Sequence, residues 1–213
     1  MLRKETVTAG TLELLKNLAL DKNLENFFLV GGTALSLQIG HRISIDIDLF
    51  SQNTFDETQM LRHLEATRGF QLDYLAKNTL KGQIDNIKVD LITHPYPLVN
   101  KLNEIEGIKI ASLEDISAMK LNAILGNGTR LKDFVDIAFL SSYLSLRQMM
   151  EAYENKYASR NPVMILKALS YHGDVNFSEP IQMVNQKYTW KAIEKRLFEM
   201  EKFPSLRFEK PPF

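Results

Sequence analysis

The chain has 213 residues, 45% of them hydrophobic and 24% charged, which suits one large soluble domain or two small ones. Lysine plus arginine balance aspartate plus glutamate at 26 each, which argues against a protein that simply coats nucleic acid by neutralising phosphates. There is no cysteine, which excludes disulfides, thiolate zinc sites and a thiol nucleophile, and no apolar run approaches the ~18 residues of a membrane span. Residues 1–10 have no apolar stretch of the kind a secretory signal needs, so a cytoplasmic protein without membrane association is expected.

In chain order, residues 11–20 place apolar side chains at helical spacing, with Thr11 as the expected N-cap. Residues 27–30 are a short apolar run halted by Gly31-Gly32, the pattern of a buried strand ending in a tight turn. A short helix is predicted over 33–39, closed by Gly40, and a second strand over 43–50, where apolar and polar residues alternate. A helix over 56–67 leads to weaker strands over 70–76 and 79–84 and a stronger one over 86–93, stopped by Pro95 and Pro97.

Beyond about residue 110 the pattern turns helical. Ser112 is placed to cap a helix carrying Ile116, Met119 and Ile124, and Gly126-Asn127-Gly128 interrupts it. Further helices are predicted over 130–143, 146–157, 162–171 and 189–202, the third with Asn161 as N-cap and Pro162 in its first turn. Residues 203–213, with three prolines, should be irregular. The expected fold is α+β, a mixed sheet flanked by helices over 1–108 followed by an all-helical half over 109–213. The basic clusters at 187–196 and 202–210 are ordinary solvated surface.

The chemistry-bearing residues concentrate between Gly31 and Asp90. On a strand over 43–50, Ser44, Asp46 and Asp48 share one face, with same-face neighbours about 6.5–7 Å apart along the strand. Two carboxylates so placed can converge on hard cations such as magnesium. An isolated D-x-D is more commonly the solvated face of an antiparallel strand. Two features favour the first reading: the rest of the strand is Ile and Leu, and Asp90 in the later strand can complete a three-carboxylate site that binds metal and deprotonates a hydroxyl. Gly31-Gly32-Thr33, between a strand and a helix start, exposes backbone N–H groups suited to phosphate. His63, His94 and His172 have no metal-hydrolase spacing and read as structural.

A Gly-Gly turn, a short helix, a D-x-D strand and a later strand Asp resemble the DNA polymerase β-like nucleotidyltransferases. The fuller string, Gly31 to Leu35, His41, Arg42, Ser44 and Asp46 to Phe50, is similar to the AbiEii/AbiGii toxin family of type IV toxin–antitoxin and abortive-infection systems. Lys120 in one helix and Lys132-Asp133-Phe134-Val135-Asp136 in the next extend the resemblance over residues 25–143, and residues 144–213 add nothing to it. The resemblance implies a nucleotidyltransferase-type sheet domain with two magnesium ions, or manganese, on Asp46, Asp48 and Asp90, the last also as base. It implies Lys120 as a triphosphate ligand, and Asp133 and Asp136 on one helix face, one toward the active site and the other anchoring Arg130 or Lys132. Arg42 is a candidate phosphate contact. Gly-Gly stands where many relatives have Gly-Ser, and Thr33 can supply the missing hydroxyl; Lys132 keeps the charge of the usual Arg without its fork.

The function so implied is transfer of a nucleoside monophosphate from a nucleoside triphosphate to a hydroxyl of RNA, such as a tRNA end, or of a protein. Asp136 joins Asp46, Asp48 and Asp90 as a catalytic candidate, and a cognate antitoxin is the implied partner. The alternative is an inactive nucleotide-binding or interaction module that keeps the fold.

Overall fold

Seven short strands form one mixed sheet. In chain order its strands are β1 (Phe28–Val30), β2 (Ile47–Ser51), β3 (Gln71–Ala76), β4 (Thr79–Ile84), β5 (Ile87–Thr93), β6 (Asn103–Ile105) and β7 (Ile108–Ile110), lying side by side in the order β3-β4-β5-β2-β1-β7-β6. The computed structural model describes residues 1–158, 161, 163–184 and 187–213. The chain divides into two compact units, the first of residues 1–97 and 101–111, the second of residues 98–100 and 112–213.

In the first unit β2 is central, parallel to β5 and antiparallel to β1, and buries Ile47, Leu49 and Ser51 on one face while alternate positions stay half-exposed. Val89, Asp90 and Leu91 are buried consecutively in β5, as expected of a strand covered on both faces. The hairpins β4–β5 and β6–β7 each turn on two residues with positive φ, Asp85-Asn86 and Glu106-Gly107, matching the twist of the strands they join. The second hairpin was not expected from the pattern. Three helices complete the unit: α1 (Ala9–Ala19), α2 (Gly31–Ile39) and α3 (Glu57–Arg68). The cap of α1 is Thr8, whose side chain accepts from the Thr11 N–H, rather than Thr11 itself. Gly40 and Gly69 close α2 and α3 in the left-handed conformation.

The second unit contains α4 (Leu113–Gly126), α5 (Leu131–Leu140), α6 (Leu146–Lys156), α7 (Val163–Ser170) and α8 (Trp190–Lys202). Ser112 caps α4 as expected, and α6 starts with a capping box made by Ser145 and Gln148. The expected placement of Pro162 in the first turn of the next helix lies outside the described residues. Every residue of α5 except Lys132 is buried, with Phe134, Ile137 and Leu140 fully so. Among the described residues, no helix is long and apolar enough to cross a membrane.

A clasp in the first unit yields a pH prediction. Asp21 Oδ2 lies 2.7 Å from His63 Nε2, and Asp21 Oδ1 accepts from the Asn23 backbone and side chain. Burial pushes the Asp21 carboxyl up, but the His63 bond and the Asn23 donors outweigh it and hold the carboxyl below its usual range. A lowered folded-state pKa gives stability that is complete above the unfolded value of ~3.9 and is lost as pH falls through the folded value. The urea midpoint of Asp21→Asn should therefore trail that of wild type above about pH 5, the margin closing as the pH drops below ~4.

Candidate active site

The sheet register assembles one row of side chains across four strands. Val30 on β1 is the Cα partner of Asp48 on β2, Asp48 of Asp90 on β5, and Asp90 of Lys81 on β4. In-register neighbours project from the same face, on strands about 4.8 Å apart. Asp48 and Asp90 are therefore adjacent carboxylates at the centre of the sheet.

Asp90 is buried, and its Oδ2 accepts from Lys81 Nζ at 2.7 Å. Its Oδ1 is buried with no hydrogen-bond partner. A buried carboxylate oxygen left unmatched is costly and asks for a ligand. Lys81 is the functional candidate that reading the sequence missed. The signal was present: a two-residue Asp85-Asn86 turn pairs Ile84 with Ile87, and counting outward sets Lys81 opposite Asp90.

The D-x-D differs in detail from expectation. β2 begins at Ile47, so Asp46 lies just ahead of the strand and is exposed, while Asp48 is half-buried within it. Residues 43–46 are held by other bonds, the Ser44 N–H donating to the Thr6 carbonyl at 2.9 Å. Asp46 is fixed through its backbone: its carbonyl accepts from the Thr33 hydroxyl, which also lies 3.0 Å from Ser44 Oγ. Thr33 is fully buried, and its hydroxyl ties the helix start to the residues just ahead of the acidic strand.

The two glycines have separate jobs. Gly31 has φ +73, and a Cβ there would come within 2.2 Å of Asp48 Oδ2; a Cβ on Gly32 would come within 2.4 Å of Arg42 Nη2. The turn is thus pressed against a carboxylate and a guanidinium at once, and Arg42, itself buried, also donates from Nη1 to the Ile43 carbonyl at 3.2 Å. The helix that follows, α2, has Val30 as its N-cap, a residue whose side chain makes no cap bond. Gly31→Ala should cost about 1–2 kcal/mol from the left-handed backbone alone, displace Asp48 as well, and lower activity. Gly32→Ala should cost less, because only the end of the Arg42 side chain must move. Urea unfolding of the two variants checks the order.

Among the described residues, no three His, Asp or Glu side chains are gathered closely enough to hold an ion unaided. The three-carboxylate cage expected of Asp46, Asp48 and Asp90 is not closed by protein atoms, because Asp46 stands outside the strand and one Asp90 oxygen is taken by Lys81. The residues do fit a cation shared with phosphates. Magnesium commonly takes one or two carboxylates and fills its shell with phosphate oxygens and water, and the unmatched Asp90 oxygen is a donor of the right hardness.

The second unit holds its own charged cluster. Lys120 on α4 is buried, with Nζ 2.6 Å from Asp133 Oδ1 and 2.7 Å from Asp136 Oδ2, both on α5. Asp133 Oδ2 lies 3.9 Å from Nε of Arg130, whose side chain is 62% exposed, and Lys132 pairs with Glu179 instead. Asp133 thus reaches Arg130, one of the two expected anchors, and both carboxylates also meet on Lys120. The Lys120 ammonium is buried between two carboxylates, and Asp136 is fully buried against it.

A mixed sheet bearing adjacent strand-borne Asp residues beside a Gly-Gly helix start is the arrangement expected of a nucleotidyltransferase. The family described as nucleotidyl transferase AbiEii toxin, type IV TA system, matches residues 13–208, and the chain belongs to it. The match runs through the helices after Tyr143, correcting the narrower span of 25–143 read from motifs. Among relatives, the uncharacterized protein aq_aa25 of Aquifex aeolicus (strain VF5) is 33% identical over 176 residues, covering 79% of this chain and 83% of that one. The crystal structure of JHP933 from Helicobacter pylori shares the fold, with a TM-score of 0.56 at 19% identity over 93% of each chain.

Proposed function

We propose that the protein is a magnesium-dependent nucleotidyltransferase that moves a nucleoside monophosphate from a nucleoside triphosphate to a hydroxyl of RNA or protein. The observation that carries this reading is the Asp48–Asp90 pair, in register on adjacent parallel strands, with one Asp90 oxygen buried and unmatched. Residues 1–108 act as the nucleotidyltransferase domain and residues 109–213 as a helical domain. In the cell the protein acts as the toxin of a type IV system, opposed by a cognate antitoxin.

Asp46 and Asp48 hold the cation with the substrate phosphates, and Asp90 adds Oδ1 as a ligand or as the proton acceptor. Magnesium, or manganese in its place, would when bound supply charge neutralisation of the triphosphate and a lowered pKa for the attacking hydroxyl. The start of α2 at Gly31 and Gly32 receives a phosphate, and Arg42 adds positive charge beside it. The acceptor oxygen bonds to the α-phosphorus as the bond from that phosphorus to the bridging oxygen breaks. Pyrophosphate leaves, and the hydroxyl proton passes to Asp90. Thr33 positions Asp46, and Lys120, Asp133 and Asp136 hold α4 to α5.

The test is incubation of the purified chain with each of the four α-labelled nucleoside triphosphates, magnesium, and total cell RNA or protein. Magnesium-dependent label in either acceptor pool is the expected result. No label from any triphosphate, together with no thermal stabilisation by any of them, sinks the reading.

A further inference from the structure

Two Lys–Asp pairs of nearly equal length, each with a buried carboxylate, make an informative contrast. In the second unit, Asp115 accepts from Lys156 Nζ at 2.8 Å, from the Val99 and Asn100 N–H groups at 3.0 and 3.2 Å, and from the Ser112 hydroxyl at 2.7 Å. Both of its oxygens are satisfied. In the first unit, Asp90 is matched at one oxygen only, by Lys81 at 2.7 Å, and its other oxygen is buried and unmatched. A pair built for stability alone gains nothing from that half-empty state.

Lys81 is itself poorly placed for a purely structural role. Its side chain is 36% exposed against 8% for Asp90, so the lysine meets water while the carboxylate does not. The β4–β5 register fixes it on the opposite side of Asp90 from Asp48. With Oδ2 drawn to β4, Oδ1 is the oxygen left for a ligand in the Asp48–Asp90 part of the row.

We propose that Lys81 is a positioning residue for nucleotidyl transfer: it holds Asp90 by one oxygen, presents the other, and keeps the carboxylate from engaging a cation with both. The proposal rests on the nucleotidyltransferase reading above. It makes a prediction with opposite signs. A lysine that merely supported the sheet would, on removal, weaken cation binding and turnover together. A lysine that restrains Asp90 would, on removal, strengthen cation binding and impair turnover, because a carboxylate that has lost its positive neighbour attracts a cation more strongly and is no longer aimed.

The experiment uses the full chain as wild type, Lys81→Met, Lys81→Gln and Lys81→Arg, with Mn²⁺ binding followed by electron paramagnetic resonance without nucleotide, and steady-state transfer measured separately. Lys81→Met should bind Mn²⁺ roughly tenfold more tightly, lose about tenfold or more in kcat, and change KM for the triphosphate less than about twofold. Lys81→Arg, which keeps the charge, should recover kcat to within about threefold of wild type. Lys81→Gln replaces Lys81→Met if the latter does not fold by circular dichroism. Unchanged or weaker Mn²⁺ binding, or an unchanged kcat, in the charge-removing variant overturns the proposal while wild-type activity stands. A wild-type chain that neither binds Mn²⁺ nor transfers nucleotide overturns the nucleotidyltransferase reading and this proposal with it.

Discussion

Asp48→Asn is expected to reduce nucleotidyl transfer by at least about a thousandfold, ~4 kcal/mol of transition-state stabilisation, with little change in thermal stability. The substitution is nearly isosteric, so the side chain can keep its place over Gly31, where a Cβ would lie within 2.2 Å of Asp48 Oδ2. What is lost is one negative charge on the strand that pairs in register with Asp90. Asn replaces an acceptor-only carboxylate with a group half of which is a donor, and a cation shared with phosphates has then lost its best-seated protein ligand. Tm should move by no more than about 2–4 °C, the shift of ~1 kcal/mol in a chain of this size. The same variant should lose the magnesium-dependent part of any stabilisation by a nucleoside triphosphate. The exposed Asp46, tied through its carbonyl rather than its carboxylate, should be less sensitive when changed to Asn. An Asp48→Asn protein that keeps a tenth of wild-type transfer would mean the cation is held elsewhere.

How much of this was legible depended on range. The D-x-D and Asp90 were readable because strand periodicity is local, and the sheet brought Asp48 and Asp90 together as adjacent strands can. The Gly-Gly turn was readable, but its reason was not. Gly31 and Gly32 are required by the bulk of Asp48 and Arg42 lying against them, which only tertiary packing discloses. Thr33 shows the same limit, since a hydroxyl beside a turn says nothing of whether it faces a ligand or the Asp46 carbonyl. The β6–β7 hairpin escaped because strands of three residues carry too little alternation to register, and Glu106-Gly107 lacks the Asn or Asp usual in such turns. Lys120 was located correctly on a helix, yet what its side chain meets depends on α5 bringing both Asp133 and Asp136 to it. The sequence spacing of Asp133 and Asp136 places them on one face; it does not say what that face meets.

The largest stability effect is expected away from the candidate active site, at Asp115→Ala. Asp115 is fully buried and its carboxylate accepts four donors: Lys156 Nζ, the Ser112 hydroxyl, and the N–H groups of Val99 and Asn100. Its own N–H donates to Ser112 Oγ, so the same residue is part of the cap of α4. Truncation leaves the Lys156 ammonium, whose side chain is only 2% exposed, without its carboxylate, and this alone is worth about 3–5 kcal/mol. At ~2–4 °C per kcal/mol for a chain of this size, Tm should fall by roughly 10–15 °C. Lys156→Met alone should cost less than Asp115→Ala, because it removes the cation and leaves the carboxylate with three of its donors. The double variant is the decisive arm. Removing both charges abolishes the penalty of an uncompensated ion, so Asp115→Ala with Lys156→Met should be more stable than Asp115→Ala alone, by ~1–3 kcal/mol. Urea unfolding of the four proteins measures the coupling directly. If the double variant is instead less stable than Asp115→Ala by the full cost of Lys156→Met, the two side chains act independently. Asp115 would then stabilise the helical unit through its backbone and Ser112 bonds and not through the ion pair.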